Sequence, residues 1–220
     1  MQYDPLKAVR LQKRLDAAAE LLHAGQTTDA EAIYLQILAD EPDNAQALHG
    51  LGVLKTSAGQ PAEGERYLKR AREAAPERPR ILNDLGETLR VQGKLAEAQA
   101  YLEEALRLAP DDAQILNNLG AALMDSDPGR AKECFLAAIR NAPDFVHAYN
   151  SLGVLLERQG HPVEALKCYE AAVSIDPGFR MALENHQDLL RRMPELLEAT
   201  LERLYAQAGR LIEESNEKNP

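Results

Sequence analysis

Apolar residues recur along this chain at the three- and four-residue spacing of amphipathic helices, in blocks broken by Gly or Pro. Leu82, Leu85 and Leu89 with Gly86 place one apolar stripe on a helix. Ala98, Leu102 and Ala105 place a second stripe beyond a turn at Gln92-Gly93, and Pro110 stops it. This two-helix unit repeats. Pro42, Pro76, Pro110, Pro143 and Pro177 are 34, 34, 33 and 34 residues apart, and Gly52, Gly86, Gly120 and Gly153 keep the same step. Two markers in one register identify a repeat array and not scattered punctuation. The residue missing from the fourth unit lies between Gly120 and Pro143. Gly86 and Ala98 lack bulk, so the paired helices can approach closely and antiparallel. Gly25, Gly59, Gly93 and Gly160 suit the left-handed position after a helix end. At the deviant fourth turn, Asp127 is expected as N-cap with Pro128 at the first helical position.

Composition changes the picture mainly by exclusion. The net charge is -10, from 35 acidic and 25 basic residues, so phosphate-backbone binding and docking on an anionic membrane are disfavoured. No apolar run has the length of a signal peptide or a membrane span, and a soluble, cytoplasmic protein is expected. Cys134 and Cys168 make neither a disulfide framework nor a metal site. His23, His49, His147, His161 and His186 are scattered over different units without metal-ligand spacing. No phosphate loop, nucleophile elbow or convergent carboxylate pair is present, so neither catalysis nor a cofactor is expected. The charge run ERYLKRAREAAPERPR (65–80) reads as a solvated second-helix face.

The fifth unit carries Tyr149, Leu152, Gly153, Leu156, Ala165, Tyr169, Ala172 and Pro177 at the offsets of the tetratricopeptide repeat, and the array resembles that family over about residues 11–178. In the first unit Ala17-Ala18 stand where Leu-Gly would be, while Ala30, Tyr34, Ile37 and Pro42 keep step. The resemblance implies an all-α, right-handed solenoid of stacked antiparallel helix pairs, one domain over residues 1–220. Its repeats are set at about 11–44, 45–78, 79–112, 113–145 and 146–179. A degenerate capping unit (180–214) and a short polar tail (215–220) follow, since the end of a solenoid must face water. Leu197, Leu201, Leu204 and Leu211 form a stripe on the last helix, read either as packing on the fifth repeat or as a self-association seam.

In the family, positions 2, 5, 9 and 12 of each repeat line a concave peptide groove. Here they place Gln46, His49, Val53, Asn83, Glu87, Arg90, Gln114, Asn117, Met124, His147, Asn150 and Val154 as candidate contacts. Asn83, Asn117 and Asn150 form a row whose amides could pair with the N–H and C=O of an extended peptide, or could be ordinary solvated or helix-bridging amides. A similar asparagine ladder in the O-linked N-acetylglucosamine transferases occupies the next position, here Gly50, Asp84, Asn118 and Ser151. Three hydrogen bonds at roughly 1 kcal/mol each need apolar help, for which Leu22, Val53, Met124 and Val154 are available. The carboxylate clamp of chaperone-adaptor members is not expected, because position 5 never holds Lys and position 6 never Arg. The expected function is a non-catalytic scaffold that binds another protein or peptide. The alternatives are the substrate-recruiting arm of a larger enzyme, such as a glycosyltransferase, and a self-assembling scaffold.

Overall fold

The 34-residue step is realised as helix pairs. A computed structural model describes residues 5–198, and among them every regular element is helical. The chain divides into two compact units, residues 1–137 and 138–220. In the first, α1 (Pro5–His23) pairs with α2 (Thr27–Asp40), α3 (Ala45–Ser57) with α4 (Pro61–Ala74), and α5 (Pro79–Val91) with α6 (Leu95–Leu108). Next come α7 (Ala113–Leu123) and α8 (Pro128–Asn141), the unit boundary falling inside α8. Each second helix of the first three pairs also packs on the first helix of the next, and α1, α3, α5 and α7 touch in sequence. The second unit contains α9 (Val146–Arg158), α10 (Pro162–Ile175) and α11 (Arg180–Arg192), with α10 packed on both neighbours. Residues 194–198 are helical again.

The pairs close over the glycine markers. A methyl group on Gly86 would stand 2.6 Å from Leu102 Cγ, and one on Gly120 would stand 2.6 Å from Phe135 Cε1. In the second unit Gly153 faces the Tyr169 ring in the same way, at 2.5 Å. The stripes read from the sequence form the core: Leu82, Leu85, Leu89, Ala98, Leu102 and Ala105 are all fully buried. In the first pair Ala18 stands in place of glycine, and the Tyr34 ring leans instead on Gly50 of α3.

Turn chemistry follows expectation. Gly59 has φ +76°, with its N–H on Thr56 O and the Gln60 N–H on Lys55 O. These two bonds satisfy carbonyls that α3 would otherwise leave open, and a β-carbon would strain that backbone. Gly25, Gly93 and Gly160 do the same work. At the fourth turn Asp127 Oδ1 accepts from Arg130 N at 3.0 Å, and Pro128 begins α8.

The 65–80 charge run is not merely a solvated face. Glu65 is 8% exposed and accepts from Lys69 Nζ at 2.6 Å, Lys94 Nζ at 2.7 Å and Gln92 Nε2 at 2.9 Å. Gln92 and Lys94 flank the turn of the next repeat, so one carboxylate clamps two repeats together. Arg72 reaches Glu104 on α6 and lies over the Tyr101 ring. Burial alone would raise the Glu65 carboxyl, but the bonds from Lys69, Lys94 and Gln92 outweigh it and hold the pKa at about 2.

Two outcomes follow for stability. Gly86→Ala should destabilise the chain by about 1–3 kcal/mol in urea unfolding, although alanine ordinarily favours a helix by ~1 kcal/mol. Gly129→Ala, where only Asp127 Oδ1 lies near at 3.6 Å, should be neutral or mildly stabilising. The depressed Glu65 pKa contributes stability that is present above the ordinary value of 4.5 and lost as pH falls through about 2. Urea midpoints measured across that window should therefore fall more steeply for the native protein than for Glu65→Gln.

Candidate functional site

The row of first helices in the first unit encloses a depression of about 470 Å³. Leu15, Ala19 and Leu22 of α1 line it, with Gln46, His49 and Val53 of α3, Arg80 and Asp84 of α5, and Gln114 of α7. Four of the expected contacts, Gln46, His49, Val53 and Gln114, are thus brought together. A smaller depression of about 300 Å³ adjoins it, sharing Arg80 and Gln114 and adding Asn83 and Asp112. Glu87, Arg90, Asn117 and Met124 line neither. Glu87 and Arg90 instead engage each other through two bonds of 2.7 and 2.8 Å.

Asparagine amides free to read a peptide backbone are not what the row provides. Asn83 is 2% exposed; its Nδ2 donates to Asp84 Oδ1 at 3.1 Å, and its Oδ1 accepts from Asn118 Nδ2 at 2.9 Å. In the second unit Asn150 Oδ1 accepts from Asn185 Nδ2, also at 2.9 Å. His49 obeys the same rule, its Nε2 lying 2.6 Å from Asp84 Oδ2. Position 5 of one repeat therefore bridges to position 6 of the next, 35 residues on. The physical reason is burial. Facing first helices exclude water between these positions, so an amide there must find a partner inside the protein. Asn117 Oδ1 is buried with no hydrogen-bond partner among the described residues.

On α9, His147 is exposed while Asn150 and Val154 are half-buried. The His147 ring meets Phe145 at 5.3 Å and Phe179 edge-on at 4.7 Å between centroids, and desolvation of the ring face they cover lowers its pKa even though the residue as a whole is exposed. Phe145 and Phe179 were not expected at the site. They are the N-cap residues of α9 and α11, two residues before repeat position 2. Arg78, at the equivalent place in the third unit, borders the larger depression. Asp16 and Asp84 also line it, from position 6.

Leu197 is 42% exposed beside a buried Leu196, while Leu201, Leu204 and Leu211 lie outside the described residues. Cys134 is buried, and neither Cys134 nor Cys168 is in a disulfide. Among the described residues no cluster of His, Cys, Asp and Glu could hold a metal ion, and no helix is long and apolar enough to cross a membrane.

Antiparallel helix pairs on a fixed step, with their first helices side by side over a lined depression, define a helical-repeat solenoid of the kind that serves as a protein-interaction scaffold. Three family models of the tetratricopeptide repeat match residues 21–83, 77–144 and 121–178, and the chain belongs to that family. No curated protein matches it significantly in sequence. Solved structures share its fold. A thermophilic tetratricopeptide-repeat protein of Thermus thermophilus aligns with TM-score 0.72 at 20% identity, over 82% of this chain and 98% of its own. The pilF protein of Pseudomonas aeruginosa aligns at 0.67 and 22% identity, over 90% and 97%. YrrB, described as a tetratricopeptide-repeat protein with an unusual peptide-binding site, aligns at 0.58 and 22% identity, over 83% and 97%.

If the amide bridges hold neighbouring repeats, Asn83→Leu should cost about 1–3 kcal/mol by leaving the Asn118 and Asp84 groups without their partner. Gln114→Ala, on the open lip of the same depression, should stay within about 0.5 kcal/mol of the native protein. Urea unfolding monitored by circular dichroism measures both.

Proposed function

We propose that this protein is a non-catalytic scaffold that holds an extended segment of a partner protein along α1, α3, α5 and α7. The observation that carries this reading is the depression itself: a contiguous hollow spanning four first helices, with Leu15, Leu22 and Val53 beside exposed Gln46 and Gln114. Its contents suit an extended chain. Exposed amide side chains both donate and accept, so they can pair with a backbone that lacks intramolecular partners. Hydrogen bonds of about 1 kcal/mol each leave most of the binding energy to apolar contact, which the leucines and valine supply. The peptide-binding site described for YrrB, a protein of the same fold, favours a peptide as occupant over a folded domain. With the asparagine row occupied internally, the amides at position 2 take over the backbone-reading role.

A peptide library displayed on phage and selected against the full chain tests this. Selected peptides should lose at least about tenfold in affinity, measured by calorimetry, when Val53→Arg fills the hollow, a loss of roughly 1.4 kcal/mol or more. Unchanged affinity in a variant whose melting curve is native would move binding away from this face.

A further inference from the structure

The hollow over α1, α3, α5 and α7 is unequal in what it leaves available. Asp84 is engaged at both oxygens, accepting from His49 and Asn83, and the exposed Asp16 accepts at Oδ1 from Gln12 Nε2 at 2.8 Å. The guanidinium groups of the hollow are not so engaged. Arg78 and Arg80 are exposed at the start of α5 and make no ion pair or side-chain hydrogen bond among the described residues. Elsewhere in the first unit Arg14, Arg70, Arg72, Arg90 and Arg130 are paired with carboxylates, and Arg10, Arg66 and Arg107 line neither depression. Two unpaired arginines border the hollow of a chain whose net charge is -10.

We propose that the segment held in this hollow is acidic, carrying Asp or Glu side chains beside apolar ones. The inference rests on the groove reading above and specifies its ligand. Arg78 and Arg80 would take carboxylates through their planar donor forks, which match carboxylate geometry two bonds at a time. Leu15, Leu22 and Val53 would take the apolar side chains. The two contact types separate naturally, because the arginines sit at the start of α5 while Leu22 and Val53 lie toward the far ends of α1 and α3. Successive side chains of an extended segment point to opposite sides, so acidic and apolar residues in alternation reach both. Two guanidinium groups without a carboxylate partner disfavour a basic segment, which would meet positive charge there. A nucleic acid also carries anions, but the surrounding negative charge repels a polyanion far more than a short peptide.

The probe is a fluorescein-labelled peptide alternating Glu and Leu, acetylated and amidated at its ends, compared with the same peptide carrying Gln for Glu. Fluorescence anisotropy with the full chain should show the Glu peptide binding at least about tenfold tighter, and raising salt from about 0.05 M to about 0.5 M should erase most of that difference. Arg78→Glu with Arg80→Glu should abolish the preference with an unchanged melting curve. Arg78→Gln with Arg80→Gln should weaken it partially. Equal affinity for both peptides, lost in Val53→Arg, overturns the acidic preference and leaves groove binding standing. A preference retained by the double Glu variant, displacement of the Glu peptide by single-stranded DNA, or binding of neither peptide also overturns it. In that last case the groove reading is decided separately by the library selection.

Discussion

From the second repeat to the fifth, each helix pair closes over a glycine that leaves no room for a β-carbon, and the geometry of those repeats descends from that contact. Gly52 faces Leu68, Gly86 faces Leu102 and Gly153 faces Tyr169, each sixteen residues on. The large side chain fills the space that the glycine vacates, so the two helices can meet only in one register. That register turns the remaining apolar residues inward. In the fourth repeat the partner is Phe135, fifteen residues after Gly120. The contact is kept and the connecting turn absorbs the deletion. A turn shortened in this way has no glycine in the left-handed region. It is closed from the other side, by the Asp127 cap and Pro128.

Apolar packing sets how close neighbouring repeats come, but it is weakly directional and does not by itself fix their rotation. Polar bridges do. On the second-helix side of the first unit, Glu65 ties α4 to the turn that carries Gln92 and Lys94. On the first-helix side, His49 meets Asp84 and Asn83 meets Asn118. The bridges thus lie on both flanks of the apolar core. A hydrogen bond made between partly buried groups is costly to leave broken, and that penalty makes the arrangement specific.

Periodicity is a local property, and for that reason the repeats, the helix pairs, the capping turns and the core leucines were legible in the sequence. Which polar groups remain available was not. Asn83 and Gln114 occupy the same stripe by position, yet Asn83 is buried with both amide ends engaged and Gln114 stands in solvent. The difference lies in a neighbour 35 residues away and in its rotamer, which no local pattern records. The same holds for the 65–80 charge run, in which Glu65 meets Gln92 and Lys94 and Arg72 meets Glu104, all in the next repeat. Arg78, Phe145 and Phe179 escaped for a simpler reason. They precede the repeat's first position, at the loop end of the helix, where a count by helical stripe does not begin.

The division between bridging and open positions has a consequence for how such a surface can change. In a repeat array stability is close to a sum over repeats and nearest-neighbour interfaces. Residues at positions 5 and 6 and in the Glu65 clamp belong to the interface terms, so altering them alters the fold. Position 2 of the second, third and fourth repeats, by contrast, holds Gln46, Arg80 and Gln114, all exposed, and none makes a side-chain bond to another repeat among the described residues. These side chains can be exchanged with little effect on the stack while changing the charge and hydrogen-bonding character of the hollow directly. Ligand choice is thereby separated from fold: the bridges hold the helices in place, and the position they leave free selects what lies across them.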